Sequence, residues 1–315
     1  MARGRASLQL AAALLSAVLL LDACGGARDA PVAGGGQAAT QQAGSPAAYR
    51  RALAVAGGPL STALAGLAKA KSLQALTQRL AQAARAVGQA ADQLDQVTPP
   101  QDVRIEHTDL VEAFRQLNGD LGVRHDAVEG RELCAATAVM ARLGKTDGLA
   151  AVRDASKALA AKGGPQAYSI GLLLPATPKE QRRRLPNGQF VRRASHGGNG
   201  ELTIDNGDDR DTVITLALGP RPAFSVYVRS GSKNKVTGIR DGTYRIYYTT
   251  GVDWDPMTRA FTRDCTFERF DDDFKFTTTR TATQVEWTQW TVDLEPATRG
   301  NASVSDVDPN DFPAS

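Results

Sequence analysis

The stretch Leu159-Ala-Ala-Lys-Gly-Gly-Pro165 separates two halves of the chain that have different hydrophobic periods. Before it, alanine and leucine recur every three or four residues, which is the spacing of helices that bury one face. From Gly200 onward, apolar residues alternate with polar ones, as in strands with one buried face. The sequence therefore predicts an α+β fold in two domains, an N-terminal antiparallel helical bundle followed by an antiparallel β-sandwich.

The helical bundle is expected over residues 47–162, with four or five helices. Its first two apolar stripes cover 53–70 and 73–97, and a phase shift of one residue between them places Ser72 where it could cap a new helix. Gly57-Gly58-Pro59 predicts a kink or break within the first helix. The remaining stripes cover 103–121, 133–143 and 149–159.

The β-sandwich is expected over residues 200–312, because short alternating segments are separated there by turn sequences such as Asp241-Gly242. Tyr244, Ile246 and Tyr248 should share one face of their strand. The predicted strands are Glu201–Asp205, Thr212–Leu218, Phe224–Arg229, Lys235–Ile239, Thr243–Thr250, Ala260–Phe270, Phe274–Thr281 and Val285–Leu294.

Residues 163–199 are expected to form the linker between the two domains, with Leu172–Leu174 packed against the bundle. Basic clusters at Arg182–Arg184 and Arg192–Arg193 have two interpretations. They could attract anionic lipid or polymer at an envelope surface. Interruption by Glu180 and by prolines instead favours a solvated linker.

The N-terminus resembles a bacterial lipoprotein signal peptide. Arg3 and Arg5 precede an apolar stretch that ends in Leu21-Asp22-Ala23-Cys24, and this stretch is too short to span a membrane. The resemblance implies removal of residues 1–23, attachment of diacylglycerol to the Cys24 sulfur, palmitate as a further acyl group, and an extracytoplasmic location on the cell membrane. Asp22 departs from the usual pattern, which leaves an ordinary signal peptide or an uncleaved anchor as alternatives. Residues 24–46 are expected to form a flexible tether.

Charge and cysteine content restrict the classes of partner and site. Without residues 1–23, the 37 basic and 34 acidic side chains become 35 and 33, so the mature chain lacks the basic excess of nucleic-acid-binding proteins. After lipidation of Cys24, only Cys134 and Cys265 remain. In an oxidising compartment they could form one disulfide, or each could be a separate buried thiol.

Four motifs of the C-terminal half resemble a β-domain that occurs at the C-terminus of diverse bacterial proteins. They are Tyr227-Val-Arg-Ser-Gly231, Gly238-Ile-Arg-Asp-Gly-Thr-Tyr244, Gly251-Val-Asp-Trp-Asp255 and Phe261-Thr-Arg263. Relatives often read Ile-Pro-x-Gly before Gly-Thr-Tyr, whereas Arg240 replaces the proline here. The helical half is similar to lipoproteins of high-GC bacteria. Neither resemblance implies an established activity, so both bear on fold and location.

Candidate chemistry is sparse, and the sequence nominates no catalytic residue, metal site or cofactor. His107 lies on an apolar helical stripe without a metal-ligand motif, which favours a packed histidine. The oxygen-rich stretch Asp205–Asp211 lacks the ligand order of a calcium loop and is better interpreted as an Asn-Gly hairpin. Asp271–Asp273 is interpreted as a solvated turn.

Two functions therefore remain open. The first is a non-catalytic binding or structural protein of the envelope, whose partners are the membrane, through the anchor, and an envelope protein or glycan. The alternative is an envelope glycan hydrolase with dispersed carboxylates, such as Asp253 with Asp255 or the 271–273 cluster. Asp253, Trp254 and Asp255 are nominated as ligand contacts on a loop, against the alternative that Trp254 packs in the core.

Overall fold

The computed structural model describes residues 44–174, 176–193, 197–294 and 303–313, all of them within one compact unit, Gln42–Ser315. Cys24 and the predicted signal peptide lie outside the described residues. The fold is α+β in two parts, with helices first and a region rich in antiparallel sheet after them. The helices are α1 (Pro46–Leu67), α2 (Leu73–Asp95), α3 (Arg104–Glu129), α4 (Ala136–Leu143) and α5 (Asp147–Ala160).

Local sequence explains where three helices begin. Ser45, Ser72 and Thr146 each accept a hydrogen bond from a backbone N–H three residues later, which satisfies a donor that lacks an intrahelical partner. The predicted cap at Ser72 is confirmed. Most of the apolar positions in the predicted stripes are buried in one helical core, where α2 packs against α1 and α3 and α3 packs against α5.

The predicted break in the first helix is wrong, because α1 continues through Gly57-Gly58-Pro59. Pro59 removes the donor to the carbonyl of Val55, but Val55 is 67% exposed, so water can reach that carbonyl. Gly57 serves another purpose. A Cβ atom there would lie 1.8 Å from the carbonyl oxygen of Ile170, so glycine allows the segment after the last helix to pack on α1.

The C-terminal part contains short strands. Thirteen are found among the described residues, and several predicted strands are divided. They are β1 (Phe190–Arg192), β2 (Gly200–Asn206), β3 (Asp211–Leu218), β4 (Arg221–Val228), β5 (Ser232–Ile239), β6 (Gly242–Asp255), β7 (Ala260–Arg263), β8 (Glu268–Phe270), β9 (Phe274–Phe276), β10 (Thr278–Arg280), β11 (Val285–Trp287), β12 (Gln289–Asp293) and β13 (Val304–Asp306).

The strands form one large and two small sheets. The large sheet has the order β1-β4-β3-β6-β8-β13, and β7 and β9 also pair with β6. A three-stranded sheet has the order β12-β2-β5, and β10 pairs with β11. The large sheet and the three-stranded sheet both contribute side chains to one core. Tyr244, Ile246 and Tyr248 are buried together in this core, as the alternation of apolar residues predicted.

Two details of the strand connections differ from the sequence analysis. β2 pairs with β5 and β12, whereas β3 pairs with β4 and β6, so the Asn-Gly segment connects two sheets and the predicted hairpin is wrong. Buried Asn206 fixes this connection by donating to the carbonyls of Arg210 and Val228. The pairing of β12 with β2 is parallel, whereas the sequence analysis expected antiparallel strands.

The predicted linker also contributes to both parts. Leu172 and Leu174 pack against the helical core as expected, next to buried Tyr168 and Ile170. The expectation is wrong for Leu173, which is 77% exposed because it points away from the core between them. The segment then forms β1, which pairs with β4, so sheet structure begins ten residues before Gly200.

A short β-like pairing connects the helical part to the sheet part, and we call residues 131–134 and 262–265 the junction. Leu133 and Arg263 form an antiparallel bridge. The N–H of Cys134 donates to Thr262 at 2.8 Å, and the N–H of Cys265 donates to Arg131 at 3.1 Å. A disulfide joins Cys134 and Cys265 there, with a Cα–Cα distance of 6.4 Å.

Among the described residues, no helix is both long and apolar enough to cross a membrane.

Candidate functional site

The segment nominated for ligand contact is part of a strand. β6 extends to Asp255, and its end pairs with β7 through Val252, Trp254 and Asp255. Trp254 is 1% exposed, with its ring centroid 5.1 Å from that of Phe261 and 5.9 Å from that of Tyr227. The ligand-contact interpretation of Trp254 is therefore wrong, and its packing in the core is correct.

The two nominated carboxylates are engaged by an arginine from the predicted linker. Arg183 donates from its backbone N–H and Nε to one oxygen of Asp253, and from a terminal nitrogen to the other, each at 2.8 Å. It also reaches Asp255 at 3.1 Å, and Thr262 donates to Asp253 at 2.7 Å. Asp253 and Asp255 are both buried. They hold the linker to the sheet, and a free ligand would have to displace Arg183.

The surroundings of Asp253 favour the charged form of its carboxyl group. Burial acts to raise the pKa of its carboxyl group, but hydrogen bonds from Arg183 and Thr262 outweigh burial and lower the pKa to about 2. A general acid near neutral pH needs a raised pKa instead. The arrangement therefore gives no support to a hydrolase that uses Asp253 and Asp255.

A second linker arginine makes a similar contact. Arg184 donates to both oxygens of Asp211, one at 2.6 Å, and Asp211 also accepts from the buried hydroxyl of Tyr227. Burial acts to raise the pKa of Asp211, but the bonds from Arg184 and Tyr227 outweigh it and lower the pKa. The solvated-linker interpretation is therefore wrong for Arg183 and Arg184, because each pairs with a carboxylate of the sheet.

Glu180 is the third linker contact, and its carboxylate faces three cations. Lys145 lies at 2.8 Å, Arg142 at 2.8 Å and the buried Arg263 at 2.7 Å. The hydrogen bond from Lys145, together with the two arginines, lowers the pKa of Glu180 to about 2. This carboxylate therefore joins α4 and the residues after it to β7.

The other residues considered for chemistry have structural contacts. His107 is buried, and its Nδ1 lies 3.0 Å from the Tyr49 hydroxyl, which makes it the packed histidine that was expected. Burial lowers its pKa. In the turn between β8 and β9, Asp271 accepts from Ser305 at 2.6 Å, and Asp273 lies 3.5 Å from Arg245.

One group within the described residues could bring three metal-ligand atoms together, namely His125, Asp126 and Glu129 near the end of α3. The two ring nitrogens of His125 face different carboxylates, at 3.5 Å from Asp126 and 3.8 Å from Glu129. Both acids are exposed. Side-chain pairs of this kind form on helix surfaces without a metal, so their proximity does not indicate a metal site.

An apolar cleft of about 570 Å³ lies between the β3–β4 turn and the end of β5. We call it the β4–β5 cleft. Tyr244, Arg221, Arg240 and Gly238 contribute to its lining. Its remaining lining residues are Leu218, Pro220, Pro222, Ala223, Phe224 and Ile239.

The cleft forms because both of its walls are sheet edges. β5 is the outer strand of the three-stranded sheet. On its other side from β3, β4 pairs with β1 at Ser225 and Val226, so Pro222, which cannot donate a ladder hydrogen bond, lies where β4 is paired with β3 alone. Between these edges, the buried side chains of Phe224, Ile239 and Tyr244 form a floor that is continuous with the shared core.

Charge at this cleft has one sign. Arg221 and Arg240 are both exposed, and no carboxylate is among the described residues that line the cleft. The neighbouring Asp241 accepts hydrogen bonds from the backbone and hydroxyl of Thr278 at 2.9 and 2.7 Å. The two arginines therefore line the cleft, and within the described part of the chain neither forms an ion pair with a carboxylate.

A second cleft of about 700 Å³ lies at the junction and is polar. Asp120 lines it and accepts from the backbone of Gly148 at 3.0 Å, near the start of α5. The charged lining residues include Asp120, Asp126, Glu132, Asp147, Asp264, Arg124, Arg142, Lys145 and Arg263.

Sequence reasoning missed the β4–β5 cleft. Gly219-Pro220 was assigned only as a turn, and Arg240 only as a departure from a turn pattern. Pro222 carried a usable signal, since proline within a strand indicates an edge. Comparison of the chain with protein-family models, with curated proteins and with solved structures finds no match in any of the three.

Proposed function

We propose that the protein is an exported, lipid-anchored, non-catalytic binding protein of the cell envelope. In this proposal Cys24 carries the lipid and residues 24–46 act as a tether. The helices form an antiparallel bundle, and the large sheet and the three-stranded sheet form a β-sandwich. The ligand binds at the β4–β5 cleft. The disulfide at the junction supports an oxidising compartment.

The β4–β5 cleft is the observation that carries the binding function. Its volume of about 570 Å³ falls in the range of small-molecule sites, and its walls are mostly apolar with a few polar groups, as such sites usually are. Its described lining offers no carboxylate for acid–base chemistry. This combination favours binding over hydrolysis.

A glycan hydrolase is the second candidate, and the polar cleft at the junction is what favours it. Asp120, Glu132 and Asp147 line that cleft, and hydrolysis requires two carboxylates on either side of a sugar. If Asp147→Asn abolished glycan cleavage by the purified protein without changing its melting temperature, the enzyme would be the better proposal.

Binding is tested with an uncharged fluorescent dye, Nile red, on the full chain. We expect the dye to brighten on binding the wild-type protein, and Ala223→Trp to abolish the signal by filling the cleft. Ala176→Trp adds the same side chain at an exposed linker position and should leave the signal unchanged. Equal dye binding by both variants, at equal melting temperature, would contradict the proposed site.

Anchoring is tested by Cys24→Ser. Without the thiol no diacylglycerol can be attached, so we expect the protein to move from the membrane fraction to the soluble exported fraction. N-terminal sequencing of the wild-type protein should find Cys24 blocked by lipid as the first residue. Membrane retention of the variant with an intact N-terminus would instead indicate an uncleaved anchor.

A further inference from the structure

We propose that the ligand of the β4–β5 cleft is a single-chain anionic amphiphile, such as a fatty acid, with its chain on the apolar wall and its anionic group between Arg221 and Arg240. This inference rests on the proposed function, because it names the chemical class of that ligand.

The apolar wall of the cleft favours a ligand with a hydrocarbon chain. Phe224, Ile239 and Tyr244 form the floor, and Leu218 at the rim is 50% exposed. A chain placed here would remove apolar surface from water on both partners, at roughly 25 cal/mol for each Å² buried. A small inorganic anion would leave the apolar wall exposed to water, so its binding would not be stabilised by burial of apolar surface.

Arg221 and Arg240 favour a ligand that carries a negative charge. They approach the cleft from different connections, Arg221 after the β3–β4 turn and Arg240 after β5. Other arginines near the sheets are paired, such as Arg183 with Asp253 and Arg184 with Asp211. The carboxylate nearest in sequence, Asp241, is held by Thr278. A guanidinium binds a carboxylate or phosphate through two parallel hydrogen bonds, which an uncharged ligand cannot supply.

The test uses a fluorescent fatty acid, 11-(dansylamino)undecanoate, and its uncharged methyl ester. Both are titrated into the full chain carrying Cys24→Ser, so that neither a lipid anchor nor detergent competes. The variant Arg221→Gln/Arg240→Gln is compared with Arg182→Gln/Arg280→Gln, which removes two exposed arginines that do not line the cleft. Thermal melting confirms that each variant is folded.

We expect the wild-type protein and the control variant to bind the acid at least about tenfold more tightly than the ester, which corresponds to one charge-assisted hydrogen bond or more. In Arg221→Gln/Arg240→Gln this preference should disappear while ester binding remains. Equal affinity for acid and ester in the wild type would overturn the inference but leave the binding function intact.

Two other outcomes also overturn the inference. If neither acid nor ester binds and Nile red binding is also absent, the proposed function fails with it. If neither probe binds while vesicles containing anionic lipid sediment the wild type but not Arg221→Gln/Arg240→Gln, the arginines contact a membrane surface and not a single amphiphile.

Discussion

Asp253 combines a strained backbone with a buried charge, and Arg183 compensates for both. Its φ of 61° is uncommon for a residue with a Cβ atom, and its carboxylate is shielded from water. Arg183 donates to this carboxylate from its main chain and its side chain, and its carbonyl accepts from the N–H of Trp254. The contact therefore fixes the end of β6 and the linker together.

We predict that Arg183→Gln lowers the free energy of unfolding by about 2–3 kcal/mol. Loss of one partner of a buried ion pair costs more than this, but Arg183 is itself 37% exposed on its side chain, so solvent reduces the effect. Arg182→Gln is the matched control, because Arg182 is exposed and adjacent. Urea unfolding of both variants measures the difference, and equal midpoints would contradict the prediction.

The same pair predicts a pH dependence. The pKa of Asp253 is about 2 in the folded protein and near 3.8 in an unfolded chain. Because the folded value is lower, the carboxylate stabilises the protein fully above about pH 4, and this contribution is lost as the pH falls towards 2. We expect Arg183→Gln to flatten the loss of stability over this range. An unchanged slope would show that Asp253 is not stabilised by Arg183.

Trp254 gives the third residue-scale prediction. Trp254→Ala should destabilise the protein by about 3–5 kcal/mol, because it leaves a large cavity between Tyr227 and Phe261. Trp287→Ala, at a position that is 41% exposed, should cost much less. Thermal melting separates the two. If Trp254→Ala melted at a temperature close to that of Trp287→Ala, the core-packing interpretation of Trp254 would be contradicted, and Trp254 would again be a candidate ligand contact.

At the scale of elements, agreement between sequence and structure depends on how local the determining contacts are. Ser72 and the leucine spacing after it specify α2 within a few residues, so sequence reasoning found its start. The partners of β12 and β2 lie almost ninety residues apart, and alternation alone cannot say which strand is adjacent or in which direction it runs. Distance along the chain also hid the contact between Arg183 and Asp253, which are 70 residues apart. The β4–β5 cleft stayed hidden for another reason, because its walls belong to two different sheets.

Gly57 and Gly119 provide a matched test of element packing. A Cβ atom on Gly57 would lie 1.8 Å from the carbonyl oxygen of Ile170, whereas one on Gly119, an exposed position within α3, would meet nothing within 4 Å. We predict that Gly57→Ala destabilises the protein by about 1–3 kcal/mol, since the crossing segment must move. Gly119→Ala should stabilise it by about 0.5–1 kcal/mol, as alanine does in an exposed helix interior.

Circular dichroism at rising temperature would measure both glycine variants. The opposite signs are the essential outcome, because propensity alone would make both substitutions favourable. If Gly57→Ala were as stable as Gly119→Ala, the segment around Ile170 would not be packed closely on α1.

For the molecule as a whole, the junction joins a helical part to a sheet part, and the apolar residues of the two parts recur with different spacings. Sequence reasoning reached the cysteine pair by elimination, because only two thiols remain after Cys24. It could not find the backbone pairing at residues 131–134, where a short extended segment follows α3 and has no alternating pattern. Backbone hydrogen bonds align the two segments there, and the disulfide prevents their separation.

We predict that removing the disulfide in Cys134→Ala/Cys265→Ala lowers the free energy of unfolding by about 4–5 kcal/mol. The two cysteines are 131 residues apart, and closing so long a loop restricts the unfolded chain more than a short loop would. Urea unfolding is followed by tryptophan fluorescence and by circular dichroism at 222 nm. Trp254 reports on the sheet side of the junction, and the helical signal comes mainly from α1 to α5.

With the disulfide intact, both signals should change at the same urea concentration, because the junction makes the two parts unfold together. In the double variant the transitions should shift to lower urea and separate, since the backbone hydrogen bonds of the junction and the ion pairs of Glu180 connect the parts less strongly than a covalent bond does. A reducing agent should reproduce this shift in the wild type and have no effect on the variant. Coincident, unshifted transitions in the reduced wild type would mean that core packing, and not the disulfide, couples the two parts.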